Sequence, residues 1–160
     1  MARTLPQARD EFIVAMNRDT AGTDRPRLLA VLDALIAWSV ARPNLVRFRP
    51  EDSTKGVLTF ERVGTKLVFW TATPRRGDTP RLELLPRATK ALTAQERAAA
   101  VAAINAHSRE VLEADEPLRI GFGALKNMTA RAAVFALMEE LLVITEPTTP
   151  AERPTLVNAS

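Results

Sequence analysis

Apolar and polar positions alternate with a period of two between Leu45 and Pro86, and with a period near that of a helix on either side. The middle of the alternating stretch is GVLTFERVGTKLVFWTA, two runs rich in β-branched and aromatic residues joined at Gly64-Thr65. A two-residue Gly-X connection predicts a type II′ hairpin turn. That turn sets Val63 opposite Lys66, Phe60 opposite Phe69, Thr59 opposite Trp70 and Leu58 opposite Thr71. Leu58, Phe60, Leu67 and Phe69 then share a core face, leaving Thr59, Glu61, Lys66, Val68 and Trp70 on the other. A strand LVRFR precedes the hairpin, with Val46 and Phe48 inward and Arg47 and Arg49 outward. A strand RLELL follows it, with Leu82 and Leu84 alternating with Arg81 and Glu83 until Pro86, which has no ladder donor.

The flanking segments read as helices. Residues 5–18 carry a narrow stripe of Phe12, Ile13 and Met16. A second helix, capped by Thr23 or Asp24, runs to about Arg42 and is apolar around most of its circumference, so burial is expected. Asp33 on that helix must face solvent or find a partner, because a buried unpaired carboxylate is costly. Thr93-Ala94-Gln95-Glu96 matches a capping box and opens a third helix; a fourth spans residues 129–142. LRIGFGALKN, between them, reads as a short extended piece in which Gly121 and Gly123 permit sharp turns.

The order helix, helix, four strands, helix, helix predicts an α+β fold, a two-layer sandwich of a four-stranded antiparallel sheet with two helices before and two after it. Residues 1–145 are expected to form one domain, and residues 146–160, with three prolines, a flexible tail.

Composition narrows the chemistry. No apolar run approaches the roughly 20 residues that cross a bilayer. The first residues lack the apolar core of a secretory signal. Cysteine is absent, which removes disulfides, thiolate metal sites and thiol nucleophiles. A cytoplasmic protein without membrane contact and without cofactors is the expectation. The net charge of +3 is unevenly placed: residues 42–90 hold eleven basic and five acidic residues, and residues 91–160 six basic and nine acidic. Such asymmetry points to an anionic partner, or to two surfaces that attract each other within the fold or across an oligomer.

The outward sheet face carries the leading candidates. Arg47, Arg49, Lys66, Trp70, Arg75, Arg76 and Arg81 combine cations for phosphates with one ring for base stacking, the composition of a single-stranded nucleic-acid surface. The competing structural reading pairs these arginines with Glu61 and Glu83 across strands. Arg76-Gly77-Asp78 reads as a turn. His107, beside Glu110, has no second histidine for a metal site and reads as a core-edge residue. Gly121-Phe122-Gly123 with Lys126 matches no phosphate-loop spacing and reads as a turn that delivers Phe122 to the core. Glu110, Glu113, Asp115 and Glu116 read as a solvated acidic patch.

Two functions follow from the residues. The first is a non-enzymatic module binding nucleic acid or another polyanion through the basic sheet face. The second is a protein-interaction or homo-oligomerisation domain whose sheet face or second helix is covered by another chain. No nucleophile elbow or metal set supports an enzyme.

Overall fold

The computed structural model describes residues 3–19, 24–50, 56–65, 67–85, 93–95, 98–99, 102 and 118–146. Helices α1 (Leu5–Asp19) and α2 (Arg25–Val40) come first. Four strands follow: β1 (Val46–Phe48), β2 (Leu58–Arg62), β3 (Val68–Thr73) and β4 (Arg81–Leu84). After them come β5 (Leu118–Gly121), a single turn of helix α3 (Phe122–Leu125), and α4 (Met128–Ile144). The strands form one antiparallel sheet in the order β1-β2-β3-β4-β5. The α+β class agrees with the sequence; the sheet has five strands rather than four. The added strand is LRIG, whose Leu118 and Ile120 are buried while Arg119 is exposed. Most of the third predicted helix, with His107 and the four acidic residues, lies outside the described residues, as do Lys66 and residues 147–160.

Alternation, broken once in β3, sorts the sheet into two faces. Phe48, Phe60, Trp70, Leu84 and Leu118 form one row, each the register partner of the next. Leu58, Ala72, Leu82 and Ile120 form a second row on the same face. Both rows meet the helices in one core with Leu28, Leu32 and Leu35 of α2 and Val134, Met138 and Leu141 of α4. Phe12 of α1 stacks on Phe122, with ring centres 5.9 Å apart. The sequence expectation for Phe122 holds: it is fully buried.

The hairpin departs from expectation at two points, the turn and the register beyond it. Thr65 donates its amide to the Arg62 carbonyl (3.2 Å), and Gly64, at φ +83°, takes the third place of that turn rather than the second. Next to the turn the expected register holds, with Glu61 opposite Val68. One step on, a bulge intervenes and Phe60 lies opposite Trp70. Phe69 is the extra residue, and its carbonyl accepts the Leu85 amide at 2.9 Å.

The bulge turns both aromatic neighbours toward α2. Phe69 stacks on Trp38 (5.9 Å, planes 3° apart), and Trp70 donates its indole N–H to Ser39 Oγ at 2.8 Å. Without it, alternation would send one of the two rings to the opposite face.

Two charged groups within the fold are matched by partners. Asp33 receives both Nε and Nη2 of Arg9, at 2.8 and 3.0 Å, which ties α1 to α2 and raises the Arg9 pKa. Arg62 is buried and donates to the carbonyls of Leu45 (2.9 Å) and Leu142 (3.2 Å) and to Thr145 Oγ1 (3.2 Å). Burial pulls its pKa below the usual arginine value, partly offset by Glu146. A guanidinium suits the end of α4, where carbonyls lack helical partners and the dipole is negative.

Candidate functional site

The outer face of the sheet is polar. Thr59, Thr71, Glu83 and Arg119 form a row across β2 to β5. Arg49 extends it on the β1 side, its amide donating to the Thr59 carbonyl at 2.9 Å. One step toward the β3–β4 loop, Thr73 lies opposite Arg81 and Arg81 opposite Gly121. The alternation that buries Leu82 and Leu84 therefore presents Arg81 and Glu83 outward together.

The seven residues singled out in the sequence do not converge. Trp70 is a correction: it is fully buried on the helix side, not displayed outward, because the bulge moves it across the sheet. Lys66 lies outside the described residues. Arg47 stays on the outer face at the β1 edge, its Nε donating to Glu61 Oε1 at 2.7 Å; its side chain is 65% exposed, while Glu61 is buried. Arg49 is half-buried beside it. These two stand three strands from β4, about 14 Å at ordinary strand spacing.

Arg75, Arg76 and Arg81 gather at the other side. Arg75 folds back over its loop, donating Nε to the Thr79 carbonyl (2.8 Å) with Nη1 3.6 Å from Asp78. Arg76 and Gly77 are exposed at the loop tip. Gly77 has φ +74°, and the Asp78 carboxylate accepts the Thr79 amide at 2.7 Å, so the Arg-Gly-Asp stretch is built as a turn. The Thr79 hydroxyl accepts the Gly123 amide (3.2 Å), anchoring the loop to α3.

Sequence reasoning missed Arg119. It belongs with Arg81 because Glu83 sits between them, Oε1 3.3 Å from Arg81 Nη2 and Oε2 3.5 Å from Arg119 Nε. One carboxylate thus faces two guanidiniums at long range. Arg81 Nε is buried without an acceptor, and two guanidiniums against one carboxylate leave the cluster net positive. The signal for Arg119 was the alternation Leu118-Arg119-Ile120, hidden by the brevity of the segment.

Other constellations resolve otherwise. Lys126 is engaged with Asp24 at 2.6 Å, which lowers the Asp24 pKa, rather than poised over an anion site. Among the described residues no group of three or more histidine, cysteine or acidic side chains is arranged for a metal ion. A half-open groove of about 490 Å³ runs along α1, lined by Asp10, Glu11, Val14, Ala15, Arg18 and Gly56. Its Glu11 carboxylate is held by Arg3 at 2.6 Å.

Set against known family models, curated proteins and solved structures, the chain gives no significant match. Its reading rests on its own geometry. None of the described helices is long and apolar enough to cross a membrane.

Proposed function

We propose that this chain is a non-catalytic binding module that takes an anionic partner on the outer face of its sheet, at the β3–β4–β5 end. The observation that supports it is the Arg81–Glu83–Arg119 arrangement, where one carboxylate serves two guanidiniums on outward positions of neighbouring strands. Arg75 and Arg76 add positive charge at the adjoining loop, against Asp78. Arg47 and Arg49 lie on the far edge, where a large partner would meet them. The burial of Trp70 removes the one ring expected to stack on a base, so charge carries the reading.

The second function class, a protein-interaction domain, draws support from the sheet rather than from α2. The apolar side of α2 is taken up by its own chain, through Leu28, Leu32, Leu35 and Trp38.

A labelled heparin fragment, titrated across a salt series, tests the anionic reading. Binding at low salt that weakens steeply as salt rises is expected, because exposed charges are screened beyond about 10 Å at 0.1 M. The triple charge reversal R75E/R76E/R81E should abolish it while the thermal melt stays cooperative. No binding of the wild type at low salt ends the proposal.

A further inference from the structure

We infer that Glu83 is an internal competitor at this face. In the free protein its carboxylate fills the place that the partner's anion takes against Arg81 and Arg119, and binding exchanges one for the other. This rests on the anion-binding reading above, and three observations carry it.

The first is the tether. Glu83 lies directly opposite Arg119 in the cross-strand row, while Arg81 is two residues back along the same strand. Same-face positions on one strand stand about 7 Å apart, and directly opposed residues about 5 Å. A carboxylate rooted in β4 must divide its oxygens to serve both. Oε1 reaches to 3.3 Å from Arg81 Nη2 and Oε2 to 3.5 Å from Arg119 Nε. A relaxed guanidinium–carboxylate contact closes to about 2.7–2.9 Å, so neither pair is drawn in fully. An anion that is not rooted in the strand is free of that constraint.

The second is the supply of donors left over. A guanidinium presents a fork of several N–H groups. Among the described residues, one guanidinium donor of Arg81 and Arg119 makes a hydrogen bond, Arg81 Nη2 to Glu83 Oε1. Arg81 Nε is buried without an acceptor, and Arg119 is exposed. The third is that Glu83 has no other cation to turn to. Thr71 faces it from β3 and is uncharged, and among the described residues Arg81 and Arg119 are its ion-pair partners. It therefore contests the two groups that the partner needs, at the high effective concentration of a group in the same chain.

A labelled heparin fragment is titrated by polarisation against wild type, E83Q, R119A and E83Q/R119A at low salt, with thermal melts as the folding control. E140Q is the charge control, because Glu140 is exposed on α4 in the helix layer and its loss changes the net charge by the same step. E83T, with a β-branched residue suited to a strand, is measured in parallel so that the test stands if E83Q does not fold. E83Q is expected to bind about fivefold more tightly than wild type, the scale of one or two released ion pairs. E140Q should stay within about twofold, its charge lying far from the arginines. In the R119A background the gain from E83Q should shrink, since one contested guanidinium is gone.

Unchanged binding in E83Q overturns the inference. Weaker binding overturns it too, because the carboxylate then holds the arginines in place for the ligand. An equal gain in E83Q and E140Q assigns the effect to net charge, and a gain undiminished by R119A breaks the link to the shared carboxylate; either result overturns it. In all these cases the wild type still binds heparin and the anionic face stands. Failure of wild type and E83Q alike removes that face and the inference with it.

Discussion

Ser39 shows how much one small polar side chain decides. It is buried on α2, accepts the Trp70 indole N–H and donates its own hydroxyl to the Leu35 carbonyl at 2.9 Å. Ser39→Ala leaves a buried indole donor unpaired. We expect a loss of about 1–3 kcal/mol, the desolvation cost of one unsatisfied group, read by urea unfolding with an unchanged m-value. A variant within a few tenths of a kcal/mol of wild type would show that the bond carries no net stability. This partnership could not be read along the chain, because Ser39 sits among apolar residues with no periodic signal to set it apart. Asp33 was legible for the opposite reason: a charge on an apolar helix demands a partner, and Arg9 supplies it.

Among the elements, the strands were legible wherever alternation ran unbroken. LVRFR and RLELL point the way their patterns require, with Val46, Leu82 and Leu84 buried. The bulge was not legible, since Phe69 and Trp70 are both large aromatics and either phase of the alternation buries one of them. Only the helix layer, with Trp38 and Ser39 waiting for both, selects the register. Gly56 borders α1, and its backbone rather than the space around it calls for glycine. Its φ is +86°, and an added Cβ would lie 3.4 Å from the Ala15 Cβ and 3.9 Å from the Glu11 carbonyl. Gly56→Ala should therefore cost about 1–2 kcal/mol from the left-handed backbone alone. Hydrogen exchange should show α1 amides losing protection ahead of those in β3; uniform loss, or none, would contradict this account.

On the scale of the molecule, the two sheet faces divide the labour between folding and the proposed binding. The inner face holds an unbroken aromatic and aliphatic row, with Phe60 stacked on Trp70 at 4.8 Å. The outer face keeps its arginines and glutamates. The candidate site was half legible: Arg75, Arg76 and Arg81 were named from the sequence, but Arg119 awaited the fifth strand and Trp70 crossed to the core. That crossing also determines how the protein can be observed. The chain has two tryptophans and no tyrosine, and both indoles lie on the helix side, Trp38 between Phe69 and Phe135 and Trp70 against Ser39. Intrinsic emission will therefore track the melting of the core, shifting to the red as the packing opens. A ligand settling on the arginines beyond the sheet will leave that signal still, so the partner must carry its own dye.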